Sequence, residues 1–265
     1  MTSQTPPPVA DPRDRPSGAA AEGNGHPEGA ARDRIKALIF DFDGVLADTA
    51  DDIADAANAV LRHYRMPAVP KRDVRRLIGG GAEALIRRLL TDADDQVLGD
   101  AAALFKQSYR ACYDRQTRLY PGVSETLRGL RAAGMLLAIA TNKVEAITDD
   151  LTRKLMIHSY FVTIVGPESV TRRKPDPEAI QLILDRLGIA PGHALMVGDT
   201  GADIVAGKRA GTFTCGALYG YGTPAEIAAA QPDFAVSFAK QILGLLRVEQ
   251  PRPIGPSGHE EEVID

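Results

Sequence analysis

Five short apolar runs without an amphipathic period punctuate this chain: residues 35–40 (IKALIF), 135–140 (MLLAIA), 161–165 (FVTIV), 194–197 (ALMV) and 212–217 (TFTCGA). Runs of that length and continuity suit strands buried on both faces. Helical spacing fills the intervals over 124–133, 143–155, 177–187 and 202–210. Ser124 is a candidate N-cap, and Gly134, Gly188 and Gly211 stand where helices should end. Strand and helix alternating in this way predict an α/β fold: a doubly wound parallel sheet with helices on both faces.

One stretch breaks the alternation. Residues 50–118 contain no strand-like run, and the segments ADDIADAANAVLRHYR, KRDVRRLI, GAEALIRRLL and DDQVLGDAAALFKQSYRACY all carry helical spacing. The expected organisation is a core domain over 34–48 and 119–248, with a small all-helical cap over 49–118 inserted after the first strand. The candidate hinges are 47–49 and 118–121. Residues 1–33 are rich in Pro, Gly, Ala and charge, and 249–265 read the same way. Neither tail offers enough apolar surface to offset chain entropy, so both are expected to be disordered.

Composition narrows the function. Apolar residues make up 44% and charged residues 25%, as in an ordinary folded domain. A net charge of −4 argues against nucleic acid as a partner. No apolar run approaches the roughly 20 residues of a membrane span. The N-terminus lacks the apolar core of a signal peptide, and Asp11, Asp14, Glu22 and Glu28 argue against a transit peptide. Cys112 and Cys215 are too few for a disulfide scaffold and read as small core residues. The expectation from these features is a cytoplasmic protein.

The chemistry-bearing residues follow the strands. Asp41-Phe42-Asp43-Gly44 comes directly after the first, Thr141-Asn142 after the second, Lys174 in RRKPDP after the third, and Gly198-Asp199-Thr200 with Asp203 after the fourth. In open α/β sheets, ligands bind outside the carboxyl ends of the strands. Each element taken alone has a plainer reading. An Asp in a turn can cap the backbone, Thr141 and Asp203 can cap helices, and Lys174 can sit in a solvated basic loop. Their conjunction is different: one sheet edge receives Asp/Asp, Thr, Lys and Asp/Asp in order. A net acidic group with one cation suits Mg²⁺ bridging carboxylates and a phosphate.

These motifs resemble the haloacid dehalogenase superfamily, within it the phosphoglycolate phosphatase-like branch. The resemblance covers about 36–246 and is carried by FDFDGVLADT (40–49), IGGGAEALIRRLL (78–90), LYPGV (119–123), TNK (141–143), KPDP (174–177), GDTGADI (198–204) and ALYGYG (217–222). It implies Asp41 as a nucleophile that forms an aspartyl-phosphate, and Asp43 as the acid and then the base. It implies Mg²⁺ held by Asp41, Asp43 (through its backbone carbonyl) and Asp199. Asp203 would hold a metal-bound water or orient Lys174. Lys174, Thr141 and the Asn142 N–H would stabilise the transferring phosphoryl group.

The helical insert would act as a lid, with Gly79-Gly80-Gly81 either an anion-binding turn for a substrate carboxylate or a flexible connection. Arg75, Arg76, Arg87 and Arg88 lie nearby and none is singled out. The five histidines fall outside every motif. A phosphonate hydrolase would need a cap lysine, and nothing marks Lys71 as one. The expected function is Mg²⁺-dependent phosphomonoester hydrolysis by a monomer or homodimer whose partner is a small phosphorylated molecule, with 2-phosphoglycolate the favoured substrate. The alternatives are a pyrophosphatase, sugar-phosphate phosphatase or phosphomutase of the same superfamily, and, outside enzymes, a phosphate-ligand sensor or adaptor.

Overall fold

Strand β1 (Ala37–Phe40) is buried along its whole length and lies inside a six-stranded parallel sheet. This computed structural model describes residues 34–248, so the expectation of disordered tails falls outside the described residues. The other strands are β4 (Leu136–Ala140), β5 (Thr163–Val165), β6 (Ala194–Gly198), β7 (Phe213–Ala217) and β8 (Phe234–Val236). The sheet order is β5-β4-β1-β6-β7-β8. From β1 the chain builds outward through β4 and β5, then returns to start again at β6. Phe40 pairs with Ile139 on one side and Val197 on the other. The carboxyl ends of β1 and β6 therefore meet at the point where the order reverses, which is where such sheets open a crevice.

Alternation along the strands sorts the core into two layers. Leu38, Phe40, Leu137, Ile139, Leu195 and Val197 point to one face, covered by α5 (Val123–Ala132), α6 (Glu145–Lys154) and α10 (Gln241–Leu245). Ala37, Ile39, Ala138, Ala140 and Met196 point to the other, covered by α7 (Glu178–Leu187) and α8 (Gly201–Ala210). A last helix, α9 (Pro224–Ala230), packs on α8.

The segment between β1 and α5 is helical as expected: α1 (Ala50–His63), α2 (Lys71–Arg75), α3 (Gly81–Leu89) and α4 (Asp95–Arg110). Asp94 caps α4, its side chain accepting from Val97 N at 2.9 Å. Val60, Leu61, Ile86 and Phe105 join the cluster that contains Leu38 and Phe40, so the insert shares one apolar layer with the sheet. Its two connections pair with each other as short antiparallel strands, β2 (Ala47–Asp48) and β3 (Arg118–Leu119). The fully buried Asp52 accepts from the backbone N–H of both Gln116 and Thr117, at 3.0 and 2.9 Å, and fixes the returning chain to α1.

The structure departs from the sequence expectations in detail. Helix α5 starts at Val123 after Gly122 in the left-handed region (φ 85°), so Ser124 is not its N-cap. Four of the strands begin one or two residues later than their apolar runs, while β6 starts with its run at Ala194, because ladder pairing rather than hydrophobicity sets where a strand starts. Strand β8 and the β2–β3 pair escaped the pattern, being only three and two residues long. Among the described residues no helix is long and apolar enough to cross a membrane.

Candidate active site

Asp41 follows β1 and Asp199 follows β6, so the register of two neighbouring strands sets their separation. Carboxylate oxygens of Asp41, Asp199 and Asp203 all lie within 4.8 Å of one another, and all three residues are buried. Lys174 enters from the loop after β5, its Nζ 3.0 Å from Asp41 Oδ1 and 2.6 Å from Asp203 Oδ1. It also donates to the Ala140 carbonyl at 2.7 Å. Burial alone would lower its pKa, but Asp203 and Asp41 together raise it, so the ammonium stays charged.

Three carboxylates against one ammonium leave this cluster two negative charges in excess. Burial, more than any neighbour, pushes the Asp41 carboxyl up to about 7, with Asp203 and Asp43 adding to the rise against the pull of Lys174. Burial likewise raises Asp199, helped by Asp203 and Asp41. Asp199 Oδ2 accepts from Tyr221 N at 2.6 Å, whereas Oδ1 is buried with no hydrogen-bond partner. An orphaned carboxylate oxygen in a buried cluster of three carboxylates and one ammonium, two of those carboxyls raised by burial and mutual repulsion, fits a hard divalent cation with oxygen ligands. Tight backbone packing holds Asp199 in place. A Cβ on Gly44 (φ +84°) would stand 2.0 Å from Asp199 Oδ2, and one on Gly222 would stand 2.0 Å from its carbonyl oxygen.

Asp43 is not a member of the three-carboxylate group. Its carboxylate takes the Lys143 ammonium at 2.9 Å and the Thr49 hydroxyl at 2.7 Å. The hydroxyl of Tyr109, on α4, stands 2.6 Å from Lys143 Nζ, so the insert reaches this pair. Thr141 does not cap α6, which begins at Glu145 with Val144 ahead of it; the Thr141 hydroxyl accepts from Lys143 N at 3.2 Å. The Asn142 side chain knits three segments, donating to the carbonyls of Gly79 (3.0 Å) and Lys174 (3.1 Å) and accepting from Lys174 N (3.1 Å). Asp203 makes two kinds of contact at once. Its Oδ2 accepts from Thr200 N at 3.0 Å at the start of α8, while its Oδ1 faces Lys174.

Above these residues lies a cavity of about 240 Å³ between the sheet edge and the helical insert. Asp41, Asp43, Thr141, Asn142, Gly79 and Gly81 line it; Lys174, Asp199 and Asp203 lie beneath, and Gly80 is not on its wall. Four residues to which the sequence reading assigned no role also belong here: Lys143, Glu83 and Arg173, which lie within quoted motifs, and Tyr109, which does not. Lys143 follows Thr141-Asn142 at the same strand end, so its position alone was a usable signal. Tyr109 and Glu83 carried none, because only the packing of α3 and α4 brings them over the sheet.

A further residue links the hinge to the cluster. Tyr221, whose N–H holds Asp199, accepts from Thr49 N at 2.7 Å and donates to Asp48 Oδ1 at 3.1 Å. Arg75 lies 4.8 Å over its ring and 3.4 Å from Asp48.

Comparison with known proteins came down on one family. The family model described as haloacid dehalogenase-like hydrolase matches residues 38–217. A phosphoglycolate phosphatase of Vibrio vulnificus (strain CMCP6) is 37% identical over 221 residues, covering 81% of this chain and 97% of that protein. A phosphoglycolate phosphatase of Nitrosospira multiformis is 39% identical over 192 residues, covering 71% of this chain and 85% of its own length. Among solved structures, that of a predicted phosphoglycolate phosphatase from Haemophilus somnus 129PT superposes with a TM-score of 0.75 at 29% identity, covering 80% of this chain and 98% of that one.

Proposed function

The chain belongs to the haloacid dehalogenase-like hydrolase family, and from that premise we propose that it hydrolyses small phosphate monoesters through Asp41, with 2-phosphoglycolate the favoured substrate. The observation that carries the reading is the Asp41–Asp199–Asp203 cluster around Lys174, with one buried Asp199 oxygen left unpaired. The relatives' names supply the substrate. The cavity of about 240 Å³ agrees, lying below the ~300–1,000 Å³ usual for larger ligands.

In this mechanism a carboxylate oxygen of Asp41 attacks the phosphorus and the ester P–O bond breaks, leaving the phosphoryl group on Asp41. Asp43 gives a proton to the departing alkoxide, then takes one from the water that attacks the aspartyl-phosphate. The products are an alcohol and inorganic phosphate, and Asp41 is regenerated. Lys174 and the Thr141 hydroxyl stabilise charge on the phosphoryl oxygens. Mg²⁺, for which Asp41, Asp199 and the Asp43 backbone carbonyl are the proposed ligands, would offset the repulsion between a carboxylate and a phosphate dianion. The helices over 49–118 would close on the sheet domain to exclude water and open to release product. Cys112 and Cys215 are buried and unpaired, in keeping with a reducing cytoplasmic setting.

The test is an assay of purified protein with an aryl phosphate and with 2-phosphoglycolate. EDTA should silence both activities and Mg²⁺ should restore them. Turnover that survives chelation would overturn the metal assignment, and binding without any turnover would favour a sensor.

A further inference from the structure

The wall of the cavity that reaches Asp41 carries a second group of charges. Besides Lys143, three cations line it: Lys106 and Arg110 from α4, and Arg173 from the loop after β5. Two carboxylates share that wall, Glu83 and Glu168. Glu168 is engaged away from the cations, accepting from Glu145 N at 3.0 Å. Glu83, in the first turn of α3, spans two of them: its Oε1 is 2.5 Å from Lys106 Nζ and its Oε2 is 2.5 Å from Arg173 Nη1. Partial burial would raise the Glu83 pKa, but hydrogen bonds from Lys106 and Arg173 bring it down to about 2. This group of charges lies close to the Thr141–Asn142 turn. A Cβ placed on Gly81 would stand 2.9 Å from Arg173 Nη1 and 3.2 Å from the Asn142 carbonyl.

We infer that Arg173, together with Lys106, reads a carboxylate at the end of the substrate remote from its phosphate, and that Glu83 holds these two cations until the substrate carboxylate displaces it. The inference rests on the proposed hydrolysis and names its substrate class: short phosphorylated acids, in which the carboxylate lies a bond or two beyond the ester oxygen. The exchange is chemically even. One carboxylate leaves a planar guanidinium and another takes its place, with the same charge and the same paired acceptor oxygens. It is also cheap, because the Glu83, Lys106 and Arg173 side chains are 47%, 42% and 37% exposed, and ion pairs so open to water are weak. Glu83 joins α3 of the insert to the core loop, so displacing it also frees a tie between the two parts.

The experiment compares 2-phosphoglycolate with ethyl phosphate, which has a methyl group where the acid has its carboxylate. The readout is the ratio of the two kcat/KM values. Arg173→Met should lower that ratio by roughly ten- to a hundredfold, the worth of a hydrogen bond to a charged group, and Arg173→Lys should recover part of it. Glu83→Gln removes the competing charge and should raise the ratio by about two- to fivefold. A parallel loss on both substrates in Arg173→Met would overturn the inference and mark Arg173 as structural. So would a ratio that Glu83→Gln leaves unchanged or lowers. If the native chain turns over neither compound, the hydrolytic reading fails by itself. The subsite is then judged by calorimetry, from the Kd values of the same two compounds with native protein and Arg173→Met, where an unchanged ratio would overturn it.

Discussion

Two charge clusters, one beneath the cavity at the sheet end and one on its wall at the insert end, are built from the same kinds of charge in opposite ways. At the sheet end, the Lys174 side chain is 1% exposed and sits against Asp41 and Asp203, at 9% and 2%. At the insert end, Lys106 and Arg173 share Glu83 in positions about two-fifths exposed. Buried charges are held by strand register and close backbone packing and cannot leave without a large desolvation imbalance. Half-exposed charges exchange partners at little cost. The contrast teaches a division of labour: a rigid end suited to bond making and an adjustable end suited to recognition.

The largest test strikes the rigid end. Asp41→Asn should reduce turnover by about 10⁴-fold or more, as loss of a nucleophile does elsewhere, while removing one of three crowded carboxylates. In metal-free buffer its thermal midpoint should equal or exceed that of the native chain, and a large drop would show that Asp41 is a structural residue. Next comes the backbone beneath Asp199. Gly44→Ala places a Cβ against Oδ2 and should cost about a hundredfold in kcat/KM, the effect of a misplacement near 1 Å. Gly134→Ala shares the positive φ (79°) with open space around it, so it should lose only about 1 kcal/mol of stability and keep its activity. Equal activity losses would erase the claimed rigidity.

Lys143→Met probes the middle of the cavity. It strips a 4% exposed ammonium from Asp43 and should destabilise the chain by about 3–5 kcal/mol in denaturant titration, the range for breaking a buried pair. A loss below 1 kcal/mol would move Asp43 to the adjustable side of the comparison. The smallest effect lies at the insert end, where Glu83→Gln should cost under about 1 kcal/mol at neutral pH. Because the folded-state pKa of Glu83 is depressed from 4.5 to about 2, its contribution is complete above pH 4.5 and is lost as pH falls through 2. Melting curves of the native and variant proteins should therefore converge across that window. Curves that stay parallel would show that the ion pairs add nothing to stability.

Much of the sheet end was legible in the sequence. The short apolar run ending in DFDG reads as a buried strand with two carboxylates at its carboxyl end, and GDT after ALMV repeats the arrangement, so that the conjunction pointed to one sheet edge. The insert end was far less legible. Gly79-Gly80-Gly81 marked a turn, and the structure sets Gly79 under the Asn142 amide and Gly81 against the Arg173 guanidinium. Glu83, Lys106 and Tyr109 looked like ordinary residues of amphipathic helices, because a helix pattern gives the face a side chain occupies and not what that face meets. Ser124 shows the opposite error: a good capping residue was outranked by Gly122, whose positive φ turns the chain into α5 two residues earlier.

What the sequence determined by itself was local and periodic: which segments are strands, which are helices, and which side chains stand at strand ends, since these follow from spacing along one chain. The tertiary structure decided which charges become neighbours. Register between β1 and β6 brings Asp41 to Asp199 across 158 positions of sequence, and the packing of the insert brings Glu83 to Arg173 across 90. Distances of that kind arise only when separate elements bury their apolar faces together, and no pattern within one element encodes them.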